Sequence, residues 1–562
     1  MLDGCVPWPE DLAADLRRTG IWRGRPLGDL LHESCGRNAE RVAVVCDGHR
    51  MTYAELSLRA DRLAGGLIGL GIRPLDRVVV HLPNIPEFVV LVFALLRAGA
   101  VPVLALPGHR RAEIAHLCAH SGAVAYVVKD RFGGFDYRGI AREVPGVPRV
   151  LVSGDAEEFT SLESLESLES PEFAESLESP RLAESLGSQE SQGSLRSRDA
   201  AGGVALPRVD PSEPALFLLS GGTTGLPKLI PRTHDDYAYV MRATAEAMEV
   251  DRDGVYLAVN PVAHQAALAC PGVLGTLLLG GKAVLTSSVR PDEVFPLIER
   301  EGVTATTLVP SVLRLWADSG RPPGELSRLL VQVGSAPLDP ALADRAGRVL
   351  GCRVQRWYGI SEGLLTYTRL DDPHEVAVNT DGRPMSPLDE VRVVDESGDP
   401  VPAGEAGEMQ VRGPYTIRGY YRAPEENARS FTPDGFFRTG DLVRRGPDGN
   451  IVIVGRIKDV INRAGEKVSA EEVERQLRTH PDVRDAAVIG VADTVLGERT
   501  YAFVVLTEAE VRASAMKQFL RERGLATYKI PDRLVPLPNL PRTPMGKVDK
   551  KALRALAASS AR

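Results

Sequence analysis

Cysteine is scarce: six residues in 562, and no two in a CxxC or Cys/His spacing. Cys5, Cys35, Cys46, Cys118, Cys270 and Cys352 therefore carry no zinc or redox motif. They read as free thiols buried in a reducing cytosol, which makes the cytoplasm the expected compartment. A basic face is also missing. The net charge of -8 is spread over the whole length, which argues against nucleic acid as a partner. The first residues, MLDGCVPWPEDLAADL, are acidic and broken by prolines, unlike the charged-then-apolar order of a signal peptide. The most apolar run, FVVLVFALLRAGAVPVLAL from Phe88, is cut by Arg97, Gly99 and Pro102. It reads as a buried helix followed by a buried strand, and no membrane is expected. Nor does a Gly-Lys-Ser/Thr triplet follow the richest glycine run, which excludes a mononucleotide loop of the GxxxxGK[ST] type there.

What is present is ordinary for a soluble globular chain, with 43% hydrophobic and 25% charged residues. At this length one hydrophobic core is not enough, and two or more domains are expected. Residues 41–129 alternate β-branched runs (RVAVV, DRVVVHL, VAYVV) with helix-like periods (TYAELSLRADRLAGGLIGLG, PEFVVLVFALLRAG). That alternation predicts a doubly wound α/β sheet. It returns after Asp253 with GVYLAV, GKAVLT, ATTLVP and LLVQVG as strands, so a second α/β layer is expected to pack on the first.

Between the two lies a repeat of Ser-Leu-Glu-Ser units, residues 161–197. Its composition buries too little to offset the entropy of ordering, and it reads as a disordered or loosely helical surface insertion. After GNIVIVGRIKD the pattern changes to a hairpin, a strongly amphipathic helix, VRDAAVIGVAD, YAFVVLT and a helix at SAMKQFLRERG. This predicts a compact α+β unit with its border at residues 456–459.

The run FLLSGGTTGLPK is an apolar strand entering a loop of Ser220, Gly221, Gly222, Thr223, Thr224 and Gly225, followed by Lys228. Glycines let successive N–H groups turn toward one point, hydroxyls add donors, and the lysine adds fixed charge, as a cradle for phosphate oxygens requires. A plain turn uses the same residues.

This run resembles the phosphate loop of the adenylate-forming (ANL) superfamily. YGISEG, DGFFRTGDL, GRIKDVI and PRTPMGKV resemble that family's other motifs in the expected order, across essentially the whole chain apart from the insertion. The resemblance implies a large N-terminal domain of doubly wound layers with a small β-barrel-like subdomain (1–455), a hinge (456–459) and a smaller mobile C-terminal domain (460–562). It implies ATP and Mg²⁺, an acyl-AMP intermediate, and transfer of the acyl group to a thiol. Glu362 is then a catalytic carboxylate that helps hold the metal, and Thr223 and Thr224 meet the β and γ phosphates. Gly334, Ser335, Ala336, Tyr358 and Gly359 flank adenine, while Asp441 and Arg456 hold the ribose. Lys547 bridges the acid and the α-phosphate, with His264 also in the catalytic set. Lys458 is the hinge residue, and Gly465 faces the active site in a second pose.

KLIPRTHDDY, NPVAHQAALACPGVLG and GPYTIRGYYRAPEENARSF resemble the stand-alone aryl-acid AMP ligases, which load salicylate or 2,3-dihydroxybenzoate onto an aryl carrier protein in siderophore and antibiotic assembly. The resemblance implies an aryl pocket of His264, Gln265, Ala266, Leu268, Cys270, Gly334, Trp357 and Leu365. Here the chain departs from the pattern. Asn usually stands at the Gln265 position, an aromatic at Ala266 and a small aliphatic at Trp357. Cys270 resembles the salicylate type. Salicylate-like acids are placed first, with 3-hydroxypicolinate, 3-hydroxyanthranilate-type and bicyclic heteroaryl acids behind. Trp357 and Ala266 could also simply compensate in volume. Coenzyme A is the alternative acceptor to a phosphopantetheinylated carrier.

Overall fold

The computed structural model describes residues 1–167, 198–199, 205–220, 226–320, 324, 326–463, 466–493, 496–507, 512–523, 525–543 and 546–559. Two large sheets organise the N-terminal part. In one, His49–Thr52, Val42–Cys46, Lys282–Leu285, Val255–Ala258, Ala305–Leu308, Leu330–Val333, Arg353–Ile360, Leu364–Tyr367 and Arg383–Pro384 lie in that order. In the other the order is Leu229–Thr233, Pro214–Leu219, Val101–Leu104, Arg77–His81, Ala125–Lys129, Arg149–Ser153 and Thr160–Ser161. The strands read from the sequence form the parallel centres of both.

The strand period of two divides each sheet between two cores. Val44 and Val78 turn into a shared core with the helices Tyr53–Gly69, Pro86–Ala98 and Gly272–Leu279, whereas Val45 and Val79 turn outward into separate ones. The two sheets are thus stacked through a common layer of helices, the doubly wound arrangement expected. Tyr53–Gly69 starts at a capping box, Thr52 with Glu55, and Pro86–Ala98 stops at Gly99 in the left-handed region, φ 70°.

The barrel-like unit expected from the sequence corresponds to a four-stranded antiparallel sheet of Glu390–Val394, Ala406–Arg412, Phe437–Arg445 and Ile451–Arg456. A single 3-10 turn, Ile457–Asp459, follows directly. Beyond it Glu466–Ser469, Val460–Arg463, Gly497–Leu506 and Val483–Asp493 form another sheet, to which Arg533–Pro536 is added in parallel. Ala470–Arg478 and Ala513–Glu522 cover one face and Lys550–Ser559 the other. This is the smaller α+β unit, and Lys550–Ser559 is a helix the sequence reading did not include.

The repeat insertion needs a correction at its start. Thr160–Ser161 pairs with Arg149–Ser153, the short turn Glu163–Glu166 follows, and Leu162 and Leu165 are buried, at 1% and 8% exposure. Arg59 closes the contact with two hydrogen bonds to Glu166, 2.8 and 2.9 Å. Leu162 and Leu165 join the core shared with the helix Tyr53–Gly69, so tertiary burial supplies what composition could not. Residues 168–197 lie outside the described residues. Leu162→Ala should lower stability by about 2–3 kcal/mol, as for a buried leucine truncated beside a rigid sheet. Chemical denaturation of the two proteins checks this.

Candidate active site

The residues singled out from the sequence stand mostly on loops that leave the carboxyl ends of parallel strands, where open α/β sheets place ligands. The loop after Val255–Ala258 carries His264 and Gln265. Asn84 staples that loop from the neighbouring sheet: its amide donates to the carbonyls of Ala258, Asn260 and Thr286, and its oxygen accepts from Val262 N–H at 2.9 Å. Arg232, fully buried, donates to the Ser361 carbonyl at 3.1 Å and so fixes the turn that presents Glu362. Gly363 follows at φ 109°, where a Cβ would meet the Tyr415 carbonyl at 2.2 Å, and the next turn is possible only with glycine.

At the mouth of the glycine-rich loop, Ser220 and Lys228 close a ring. Ser220 N–H donates to the Lys228 carbonyl and Lys228 N–H to Ser220 Oγ, both at 3.0 Å. Gly221, Gly222, Thr223, Thr224 and Gly225 lie outside the described residues. The Lys228 ammonium meets Glu426 at 2.7 Å and lies 4.2 Å above the Tyr420 ring. The Tyr420 hydroxyl in turn donates to Glu362 Oε1 at 2.7 Å.

Asp441 is 1% exposed and already occupied. Arg456 Nε reaches its Oδ1 at 2.7 Å, and the Tyr358 hydroxyl donates to its Oδ2. The two charged residues face each other across the antiparallel ladder, where Asp441 and Arg456 are direct Cα partners. Burial and the Asp441 charge push the Tyr358 phenol well above its ordinary range, so it stays a donor.

Lys547 joins this group from the smaller C-terminal unit. Its loop is tied by Thr543 N–H to the Lys547 carbonyl, 2.7 Å, and by Arg542 to the Gly546 carbonyl, 2.7 Å. Gly546 has φ 75°, and a Cβ on it would lie 3.8 Å from Ser311 Oγ and 4.0 Å from Val309 Cγ2 of the large unit. Burial and the Arg456 charge push the Lys547 ammonium down to about 8, against the opposing pull of Asp441 and Glu362. Burial, with a smaller contribution from Lys547, holds His264 down to about 3. Neutral at working pH, His264 accepts the Ala266 N–H at Nδ1, 3.3 Å, which leaves the ring proton on Nε2. Lys547, Arg456, Asp441, Glu362 and His264 thus share one electrostatic neighbourhood.

The pocket residues are also brought together. Gln265, Ala266, Leu268, Cys270, Trp357 and Leu365 are all buried. The Trp357 indole stacks on Tyr367 at 6.2 Å and rests on Gly334 and Gly359. A Cβ on Gly334 would lie 2.7 Å from the indole Nε1, and one on Gly359 would lie 2.6 Å from Cζ3. Trp357 Nε1 and Gln265 Oε1 are buried without a hydrogen-bond partner among the described residues. Burial raises the Cys270 thiol to about 12, so it is a small apolar wall. Ser335, at φ 65°, and Ala336 are half-buried beside Gly334. Lys458 sits in the 3-10 turn, its ammonium lowered by burial and by Arg456. Gly465 lies outside the described residues.

Sequence reasoning missed Tyr420 and Asn84. Tyr420 lies inside the quoted GPYTIRGYYR segment, but an aromatic in an aromatic run carries no local mark of contact with Glu362.

Among the described residues no helix is long and apolar enough to cross a membrane. The chain matches the sequence profile of the AMP-binding enzyme family over residues 31–421 and that of the AMP-binding enzyme C-terminal domain over residues 472–547. It is 77% identical over 562 residues to Triostin synthetase I of Streptomyces triostinicus, covering 100% of both chains. It is 48% identical over 560 residues to the 2,3-dihydroxybenzoate-AMP ligase of Bacillus subtilis (strain 168), covering 99% of this chain and 98% of that one. The solved apo structure of MbtA from Mycobacterium smegmatis is similar with a TM-score of 0.72 at 45% identity, over 99% of each chain.

Gly334→Ala should unseat the Trp357 indole, lowering the thermal midpoint and shifting tryptophan emission to the red; an unchanged spectrum would contradict the tight seat. The Lys547 ammonium should titrate near 8 in the ligand-free protein. Its folded value lies below the ordinary 10.5, so the native state binds fewer protons than the unfolded chain between about 8 and 10.5. Stability from this group therefore rises with pH through that window. The pH profile of acetic anhydride labelling at Lys547, followed by mass spectrometry, checks the midpoint.

Proposed function

We propose, for a chain that belongs to the AMP-binding family of adenylate-forming enzymes, that it is an aryl-acid AMP ligase. It joins an aromatic carboxylic acid to the AMP moiety of ATP with release of pyrophosphate. It then passes the acyl group to the phosphopantetheine thiol of an aryl carrier protein in nonribosomal peptide or siderophore assembly. The observation that carries the reading is the convergence of Lys547 with Arg456, Asp441 and Glu362, two cations and two carboxylates drawn from the large unit, the border segment and the smaller C-terminal unit.

Attack of a carboxylate on a phosphoryl group brings two anions together, so catalysis rests on positioning and on charge rather than on a base. Lys547 supplies the charge. A nucleotide and an acid beside it add negative charge and raise its ammonium from about 8, so the lysine is protonated when it is needed. His264, neutral and with its proton on Nε2, acts as a donor to a substrate oxygen and not as a general base. Asp441, an acceptor with roughly four lone-pair sites, can hold ribose hydroxyls in addition to Arg456 and Tyr358. Tyr358, Gly359, Gly334, Ser335 and Ala336 form the adenine wall, and the loop of Ser220 to Lys228 receives the outer phosphates.

The residues fit Mg²⁺. Among the described residues no group of three or more His, Cys, Asp or Glu could cage a metal, and this ion is commonly held by one or two carboxylates together with substrate phosphates. Glu362 offers such an oxygen. When bound, the ion neutralises phosphate charge.

Buried polar atoms without partners speak to the acid. Trp357 N–H can only donate and Gln265 Oε1 can only accept, and leaving both unpaired is costly. A ring hydroxyl beside the carboxylate satisfies both, which favours salicylate-like acids, while a ring nitrogen satisfies Trp357 alone. Coenzyme A remains the second acceptor to test.

The chain is divided at 1–455, 456–459 and 460–562, with Lys458 at the pivot. Rotation there withdraws Lys547 and turns Gly465 toward the acyl group for thiol attack. The test is acid-dependent exchange of labelled pyrophosphate into ATP with a panel of aryl acids; no exchange with any of them would overturn the reading. Lys547→Ala should slow exchange by two orders of magnitude or more and leave transfer from preformed acyl-AMP within a fewfold, since the second step does not need the ammonium.

A further inference from the structure

Tyr420 stands between two opposite charges. It lies on the loop after Ala406–Arg412 and is 2% exposed. Its N–H donates to Asn427 Oδ1 at 2.8 Å and its carbonyl accepts from Asn427 Nδ2 at 3.0 Å. The next residue, Tyr421, donates its N–H to the Leu229 carbonyl at 3.0 Å, which ties the loop to the strand that begins one residue after Lys228. The ring edge meets Phe437, with centroids 6.3 Å apart. The phenol is therefore fixed independently of the two residues it serves.

Those two residues are Glu362, which accepts the phenol O–H at Oε1, 2.7 Å, and Lys228, whose ammonium lies over the ring face at 4.2 Å. A carboxylate and an ammonium brought to the same place by neighbouring loops attract each other, and a direct pair would withdraw both from a ligand. Tyr420 gives Glu362 a neutral partner, and gives Lys228 a second, weaker contact beside its direct pair with Glu426, so that Glu362 itself is not drawn into that pair. The hydroxyl uses one of roughly four acceptor positions on the carboxylate, and the ring face satisfies the ammonium without taking a hydrogen-bond donor from it. Glu426 completes the seat of Lys228 on its other side, at 2.7 Å.

We infer that Tyr420 is a positioning residue that keeps the Glu362 carboxylate and the Lys228 ammonium apart and aimed, one for the metal-bound side of a nucleoside triphosphate and one for its phosphate oxygens. This rests on the nucleotide reading given above.

The experiment compares full-length wild type with Tyr420→Phe and Tyr420→Leu. Calorimetric binding of ATP is measured with Mg²⁺ and with EDTA, and pyrophosphate exchange is titrated with Mg²⁺. Tyr420→Phe keeps the ring under Lys228 and loses only the bond to Glu362. Its affinity for ATP with Mg²⁺ should fall at least fivefold and its half-saturating Mg²⁺ should rise at least fivefold, with ATP binding in EDTA within twofold of wild type. Tyr420→Leu should lose affinity in both conditions. A Tyr420→Phe protein whose Mg²⁺ half-point and ATP affinity match wild type would overturn the inference alone. So would a lowered melting temperature with a uniform loss of activity and an unshifted Mg²⁺ half-point, which marks a packing role only. Wild type that binds ATP equally with Mg²⁺ and EDTA would remove the assignment of Glu362, and the inference with it.

Discussion

The site depends on holding an ammonium, Lys547, in a half-buried position next to a guanidinium. That placement is unfavourable in itself, because burial and Arg456 both disfavour the charged lysine, and the opposing pull of Asp441 and Glu362 does not cancel them. A polyanion bound beside this lysine offsets that cost, because added negative charge favours the ammonium. Affinity for a nucleotide and the charge state of the lysine are then two aspects of the same quantity. The rest of the architecture serves to make that placement reproducible. Parallel strands fix the loop ends, Asn84 and Arg232 pin the loops to buried backbone, and the Asp441–Arg456 pair is set by the register of one antiparallel ladder.

The same logic explains why so many of the contacts run to backbone atoms. Asn84 alone satisfies three carbonyls and one N–H, so the loop bearing His264 and Gln265 has little freedom to relax when a side chain on it changes. On the proposed function, substitution at positions such as Gln265, Ala266 and Trp357 would change the acid accepted while this backbone frame stays in place. Trp357 illustrates the constraint: its indole is accommodated because two glycines, Gly334 and Gly359, leave room beneath it.

Much of this was legible in the chain. Alternating β-branched runs and amphipathic periods mark the two sheets, since periodicity is a local property and strands such as Val42–Cys46 and Arg77–His81 follow it closely. Glu362, Asp441, Arg456 and Lys547 were marked by the resemblance of their motifs to those of the adenylate-forming family, not by local pattern alone. What could not be read were pairings made across long sequence separations by residues with no charge of their own. Tyr420 reaches Glu362 over 58 positions, and Asn84 reaches the His264 loop over more than 170. The folded start of the Ser-Leu-Glu tract was hidden for a related reason. Leu162 and Leu165 are unremarkable in a repeat, and only the exposed flank of a distant helix gives them somewhere to go.

That last feature bears on how the molecule behaves in company. Arg149–Ser153 would otherwise end its sheet as a five-residue, largely apolar strand with open N–H and carbonyl groups, a template on which a second chain could add itself. The two-residue strand Thr160–Ser161 takes that place and is too short to propagate the ladder, and the turn after it swings onto helix Tyr53–Gly69. The opening of the low-complexity tract thereby blunts a sticky margin, guarding against intermolecular strand exchange at the flank of the sheet.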